Sequence, residues 1–223
     1  MSYTRFALYA VPDQDGLADF GAKWLGWDLR DGRAVGQFLI AGLDDVTVTP
    51  RKYGFHGTIK PPFRLADGET LQALKRAAGA LATMLPAAPT NGLRVEGLSG
   101  FLALRPIGDT EALHDVAARC VTALDRFRAP AGAQELARRR AAGLTDRQED
   151  NLIRWGYPYV LEDFRFHFTL TGKLDADALA HWRAEASARL PDQPIPFALS
   201  KLALVGERDD GHFETLDHYT LTG

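Results

Sequence analysis

Sulfur is scarce in this 223-residue chain, which has one cysteine and two methionines. A lone Cys120 excludes an intrachain disulfide framework, and its place in an apolar, helix-like run marks it as a small buried side chain. A reducing, cytoplasmic setting fits. Long hydrophobic runs are lacking as well. Nothing from Met1 to Val11 has the form of a signal peptide, and no segment approaches the ~20 apolar residues that span a bilayer, so no membrane partner is expected. Neither sign of charge dominates: 26 Lys and Arg stand against 29 Asp and Glu, for a formal net charge of −3. That balance calls for neither nucleic acid nor an anionic surface, although a local basic patch can still hold an anion. A glycine-rich phosphate loop, a Gly-x-Ser-x-Gly elbow and closely spaced His or Cys pairs are all missing. No cofactor and no metal are expected.

What is present is ordinary in bulk, with 46% hydrophobic and 25% charged residues. This suits one globular domain of two lobes. Its notable feature is a repeated segment. Tyr53-Gly54-Phe55-His56-Gly57-Thr58-Ile59-Lys60 is echoed by Phe164-Arg165-Phe166-His167-Phe168-Thr169-Leu170-Thr171. Both read aromatic-His-x-Thr-aliphatic and both predict a strand. Residues two apart in a strand share a face. His56 and Thr58 therefore lie together with Lys60 continuing the face, and Arg165, His167, Thr169 and Thr171 do the same in the second copy.

The flanking elements repeat in the same order. Arg5–Val11 predicts a strand and Asp13–Leu25 a helix capped by Asp13 or Asp15. Thr47–Lys60 leads into the first His-x-Thr strand, which Pro61-Pro62 should end. Leu71, Leu74, Ala78, Leu81 and Leu85 predict a helix over 69–85. Residues 93–98 and 101–106 predict strands about a Ser99-Gly100 turn, and 110–127 another helix. After the second His-x-Thr strand, 175–190 predicts a helix, and 197–206 and 213–221 predict strands. Strand, helix, His-x-Thr strand, helix, strand thus occurs twice, with lobes of about 1–98 and 99–223. The extra length of the second copy is a charged insert at 133–155, expected as two helical pieces broken near Gly143, with Thr145 and Gln148 forming a capping box.

Two imidazoles on opposite sides of a reacting centre can divide acid and base work near neutral pH. Two threonine hydroxyls can orient a phosphate between them. Lys60 and Arg165 can offset its charge, and Tyr157 can stack on a base or sugar. His114, His181, His212 and His218 share no pattern with the pair. A metal site would need three or four ligands and acidic or cysteine neighbours that neither motif has.

The repeated motif and its flanks resemble the two-histidine (2H) phosphoesterase superfamily, which includes cyclic phosphodiesterases and bacterial RNA 2′,5′-ligase-like proteins. Arg51-Lys52-Tyr53-Gly54-Phe55-His56-Gly57-Thr58-Ile59-Lys60-Pro61-Pro62-Phe63, Phe127-Arg128-Ala129-Pro130 and Trp155-Gly156-Tyr157-Pro158-Tyr159-Val160 resemble its branch associated with phosphonate-metabolism operons. The resemblance implies an α+β, bilobal, pseudo-two-fold duplicated fold with antiparallel sheets around a central cleft. His56 and His167 would be catalytic and Thr58 and Thr169 phosphate-binding, with no metal needed. The implied reaction is hydrolysis of a small cyclic phosphate on a ribosyl or nucleotide-like substrate. Processing of RNA ends, or binding of a phosphometabolite without turnover, are the alternatives.

Overall fold

The computed structural model describes residues 2–12 and 15–223. The expected capping of the first helix by Asp13 or Asp15 lies outside the described residues and side chains. Seven strands form one antiparallel sheet: β1 (Phe6–Ala10), β2 (Gly57–Phe63), β3 (Leu93–Leu98), β4 (Phe101–Pro106), β5 (Phe168–Thr169), β6 (Lys201–Glu207) and β7 (Phe213–Thr220), in the order β7-β6-β1-β2-β5-β4-β3. Helices α1 (Asp15–Leu25), α3 (Leu71–Ala82), α4 (Glu111–Ala123) and α7 (Ala176–Ser187) bury their apolar stripes in the main core against it. The fold is thus α+β with antiparallel strands, as the alternation of periods implies. Among the described residues no helix is long and apolar enough to cross a membrane.

The two sequence repeats trade their closing strands. β3 closes the first repeat but pairs with β4, and β6 closes the second but pairs with β1. Each half of the sheet therefore draws on both halves of the chain, and the division at residue 98 falls inside the β3–β4 hairpin. The physical reason is local: Ser99 and Gly100, with φ of 48° and 85°, make a tight hairpin turn, and a hairpin pairs consecutive strands at the lowest loop-closure cost.

The halves meet at a narrow seam. β2 and β5 share a single register pair, Gly57 with Phe168, and β5 has two residues rather than the eight expected for 164–171. Gly57 is needed there because an added Cβ would lie 2.5 Å from the Phe166 ring. Phe166 and Phe168 are buried and meet edge-to-face at 5.3 Å, and Phe168 stacks on Phe55 at 5.1 Å. Burial of each ring contributes roughly 1.5–3 kcal/mol, so aromatic packing under the seam compensates for its few ladder bonds.

Two further expectations are corrected. The stretch ahead of the first motif is a helix, α2 (Leu43–Arg51), although Val46-Thr47-Val48-Thr49 has β-branched composition. Thr47 Oγ1 donates to the Leu43 carbonyl at 2.6 Å and accepts from Gln37 Nε2 at 2.9 Å, so its hydroxyl is used inside a helix. And β2 does not stop at Pro61-Pro62; it runs on to Phe63. Beyond Gly57 it has no register partner in β5, while a bulge between Leu8 and Phe6 of β1 accommodates the prolines. A proline is tolerated where no ladder donor is required. The insert folds as expected, as α5 (Ala133–Arg140) and α6 (Asp146–Trp155), with the Thr145–Gln148 capping box formed. It is fastened ahead of the second motif by Arg147 to Asp163 at 2.7 Å and Asn151 Nδ2 to the Val160 carbonyl at 3.2 Å.

Candidate active site

The seam is where the repeated motifs meet. Antiparallel pairing of Gly57 with Phe168, extended one residue each way, sets His56 against Thr169 and Thr58 against His167. Opposed residues in an antiparallel pair share a face. Phe168 points into the core, so the two histidines and two threonines occupy the other face, and all four are half-buried. A proton on His167 bears on the charge of His56, so the imidazoles are electrostatic neighbours.

Both rings are held in the same way. His56 Nδ1 lies 2.9 Å from the Gly54 carbonyl, and His167 Nδ1 lies 2.6 Å from the Arg165 carbonyl. A carbonyl can only accept, so each Nδ1 carries the hydrogen and each Nε2 is left for the cleft. On the first side the carbonyl is aimed by Gly54, whose φ of 69° is left-handed and whose Cβ would meet Leu29 at 2.6 Å. Only glycine satisfies both conditions. His56 Nε2 then accepts from the Thr58 hydroxyl at 3.0 Å. Among the described residues no matching bond joins Thr169 to His167.

Around this symmetric centre the surroundings differ. Tyr9, opposite Thr58 in β1, stacks on the His56 imidazole with centroids 3.6 Å apart. Its counterpart opposite Thr169 is Ala103 in β4. Two residues further along this register Arg105 faces His167, where the first half places Val11 against His56. Arg105 Nη1 is held by Glu96 at 2.9 Å, and its Nε is buried with no hydrogen-bond partner among the described residues. Burial holds the His56 imidazole down at about 4, with the Gly54 carbonyl opposing and His167 adding to the effect. His167 is also held below its ordinary value, first by burial, with the Arg165 carbonyl opposing and the Arg105 cation adding.

The three additional residues read from the sequence fare differently. Lys60 is turned away: a second β1–β2 bulge, between Tyr9–Thr58 and Leu8–Lys60, breaks the two-residue parity. Its ammonium is buried on the core side, donates to the Val121 carbonyl at 2.9 Å and lies 4.0 Å from Asp125. Burial lowers it to about 8, against the pull of Asp125. Arg165 gives its carbonyl to His167 while its side chain is exposed. Tyr157 lies on the His56 flank, close enough to Tyr9 to bear on its charge and to Tyr53 to feel that phenol in turn, with Arg139 over its ring at 4.5 Å. Thr171 is drawn into the backbone, accepting from Leu102 N at 3.0 Å. Arg105 and Tyr9 are the residues that the sequence reading missed. No local pattern marks either one, since their places beside the motifs follow from strand register.

Among the described residues no cluster of three or more His, Cys, Asp or Glu could hold a metal ion. His212 stacks on Trp27 at 4.1 Å and His114 meets Phe164 at 5.4 Å, both packing contacts.

Comparison with known proteins gives a family model, DUF1045, described as a protein of unknown function, which matches residues 58–214. A protein of Janthinobacterium sp. (strain Marseille) named ribose 1,5-bisphosphate phosphokinase PhnN is 40% identical over 221 residues, covering 94% of this chain and 49% of that protein. A protein of the same name from Laribacter hongkongensis (strain HLHK9) is 35% identical over 213 residues, covering 93% and 49%. The chain thus spans about half the length of the curated relatives it matches. Among solved structures, one described as a phosphoesterase matches at TM-score 0.43 with 13% identity over 99% of both chains. E. coli LigT complexed with ATP matches at TM-score 0.40 with 14% identity over the full length of both.

Proposed function

We propose that this chain, which belongs to the DUF1045 family of proteins of unknown function, is a phosphodiesterase that hydrolyses a small cyclic phosphate on a ribosyl substrate. The observation that carries the reading is the seam itself. Two His-x-Thr motifs face each other in one antiparallel register, each imidazole presenting Nε2 and each backed by a backbone carbonyl. The ribosyl class is supported by the bisphosphorylated ribose in the names of the two relatives. The kinase in those names is not carried over, because the chain has no glycine-rich phosphate loop.

In this reading, a neutral His takes a proton from water as the water oxygen attacks phosphorus. The ring P–O bond breaks, and the second His, as imidazolium, gives its proton to the departing oxygen. One water is consumed, leaving a phosphomonoester and a free hydroxyl. On substrate binding Thr58 turns its hydroxyl from His56 Nε2 to a non-bridging oxygen, Thr169 donates to another, and the unpartnered Nε–H of Arg105 supplies a charged donor on the His167 side. His56, enclosed by Tyr9 and with no charged cross-strand neighbour, is suited to the base. His167 takes the acid role only with substrate bound, when the phosphate beside it offsets the lowering that burial and the Arg105 cation impose.

His56→Ala and His167→Ala should each lower turnover of a cyclic phosphate by about 10²–10⁴-fold while the circular dichroism spectrum and melting midpoint stay native. Full turnover in either variant would overturn the reading. Exhaustive chelation should leave the rate unchanged. Comparing cyclic mononucleotides with oligonucleotides bearing cyclic ends separates the small-molecule reading from RNA-end processing.

A further inference from the structure

On the His56 flank the charged insert contributes a guanidinium with too few partners. Arg139 of α5 lies over the Tyr157 ring, its Cζ 4.5 Å from the centroid. Its Nε is buried and has no hydrogen-bond partner among the described residues. The carboxylate nearest to it, Glu135, is 3.7 Å from Nη2 and is shared with Arg64, 3.9 Å away. Tyr53 is in turn near enough to Tyr157 to bear on its charge. The Tyr53 ring carries Lys52 Nζ at 5.0 Å and lies 6.4 Å from the His56 imidazole. Lys52 also faces Glu207, but that carboxylate is already matched by Arg5.

A solvated arginine would need no explanation. A buried N–H without an acceptor does, because it gave up water and received nothing in return. The surrounding groups define what would satisfy it. One face of Tyr157 is covered by Arg139 and Tyr53 carries Lys52, so the rings serve as floors for cations rather than as open platforms for a base. A planar guanidinium, an ammonium and two phenols offer more donors than a carboxylate can accept, and they match the oxygens of a doubly charged phosphate.

We infer that Arg139, Lys52, Tyr53 and Tyr157 form a second anion subsite, which takes a phosphate monoester carried by the substrate away from the reacting phosphodiester. The inference rests on the phosphodiesterase reading and narrows its substrate to a cyclic phosphate bearing a terminal phosphate. It also accounts for the insert, whose α5 completes the cleft with one side chain.

Two measurements test it. In the first, kcat/KM is determined for a ribosyl 1,2-cyclic phosphate with and without a 5-phosphate. The wild type should prefer the phosphorylated ester by about 10²-fold or more, and Arg139→Gln should shrink that preference about tenfold, chiefly through KM. Equal turnover of the two esters by the wild type, or an unchanged preference in both Arg139→Gln and Lys52→Gln, overturns the subsite. In the second, calorimetric binding of ribose 5-phosphate, which has a monoester and no diester, should weaken about tenfold in Arg139→Gln; unchanged binding overturns the subsite independently of catalysis. Turnover of neither ester alongside Arg139-dependent binding would sink the phosphodiesterase reading and leave the subsite standing. A native melting midpoint in both variants excludes misfolding as the cause.

Discussion

The two halves of the seam are alike in sequence and unlike in surroundings. His56 and His167 share a carbonyl-backed Nδ1 and a threonine two residues on. Yet His56 is stacked under Tyr9 with Val11 across the strand, whereas His167 has Ala103 and Arg105 in the corresponding places. Duplication supplies two equivalent imidazoles, and the neighbouring strands make them inequivalent. A symmetric pair can catalyse proton transfer in either direction; a pair in unequal environments favours one assignment. The residues that would set the proposed roles are therefore on β1 and β4, not in the motifs.

The largest effect expected from breaking that contrast is at Arg105. Arg105→Gln should lower kcat/KM for a cyclic phosphate by about 10–10²-fold, roughly 1.4–2.8 kcal/mol. It should also raise the pKa of His167, because a cation that opposes imidazolium formation has been removed. NMR titration of the ring protons in wild type and variant checks both the direction and the residue. A shift confined to His56 would contradict the register that faces Arg105 with His167.

Acid sharpens the contrast next. An unfolded histidine titrates near 6.5, and folded His56 is held at about 4. Between these values the unfolded chain binds more protons. Stability from this source is thus fully present above about 6.5 and falls as the pH drops toward 4. For an imidazole that keeps some exposure, the loss should be on the order of 1–3 kcal/mol. His167 contributes with the same sign. Denaturant titrations from pH 7.5 to 4 should give a shallower decline for His56→Gln than for the wild type. Parallel curves would mean that neither burial nor the Tyr9 stack sets the His56 pKa.

A smaller effect separates the central residues of the two motifs, Gly57 and Phe168. Phe168 fills the core, and Gly57 leaves room for the Phe166 ring 2.5 Å from where a Cβ would stand. Gly57→Ala should destabilise by about 1–3 kcal/mol through overpacking, measured as a lower denaturation midpoint with unchanged slope. A neutral result would mean that the Phe166 ring can step aside.

How much of this was legible follows from the range of the interactions. α3, α4, the β3–β4 hairpin and the insert's capping box depend on neighbours a few residues away, and their periodicity or turn chemistry is visible in sequence. α2 was not legible, because a β-branched run is kept helical by Gln37 and Arg51 reaching its Thr47 hydroxyl. The exchange of closing strands and the partnering of Arg105 with His167 are matters of register between distant segments, which no local pattern encodes. The His-x-Thr pair was legible because duplication wrote the same short-range pattern twice.

Lys60 marks the limit of parity as a guide and provides the smallest predicted effect. Counting by twos from His56 places it on the cleft face, and the bulge opposite Leu8 sends it to the core instead. There the ammonium has one short acceptor, the Val121 carbonyl, and a carboxylate 4.0 Å away at Asp125. Lys60→Met keeps the stem volume and removes a costly buried charge, at the expense of one hydrogen bond. The desolvation relieved and the bond lost are of similar size, so stability should change by less than about 1 kcal/mol. Turnover should stay within about twofold of wild type, since the Nζ lies behind the sheet from both imidazoles. Arg105→Gln, on the face that parity predicts correctly, should cost at least about five times more activity. Equal losses from the two substitutions, measured on the same cyclic phosphate, would mean that the bulge does not remove Lys60 from the chemistry.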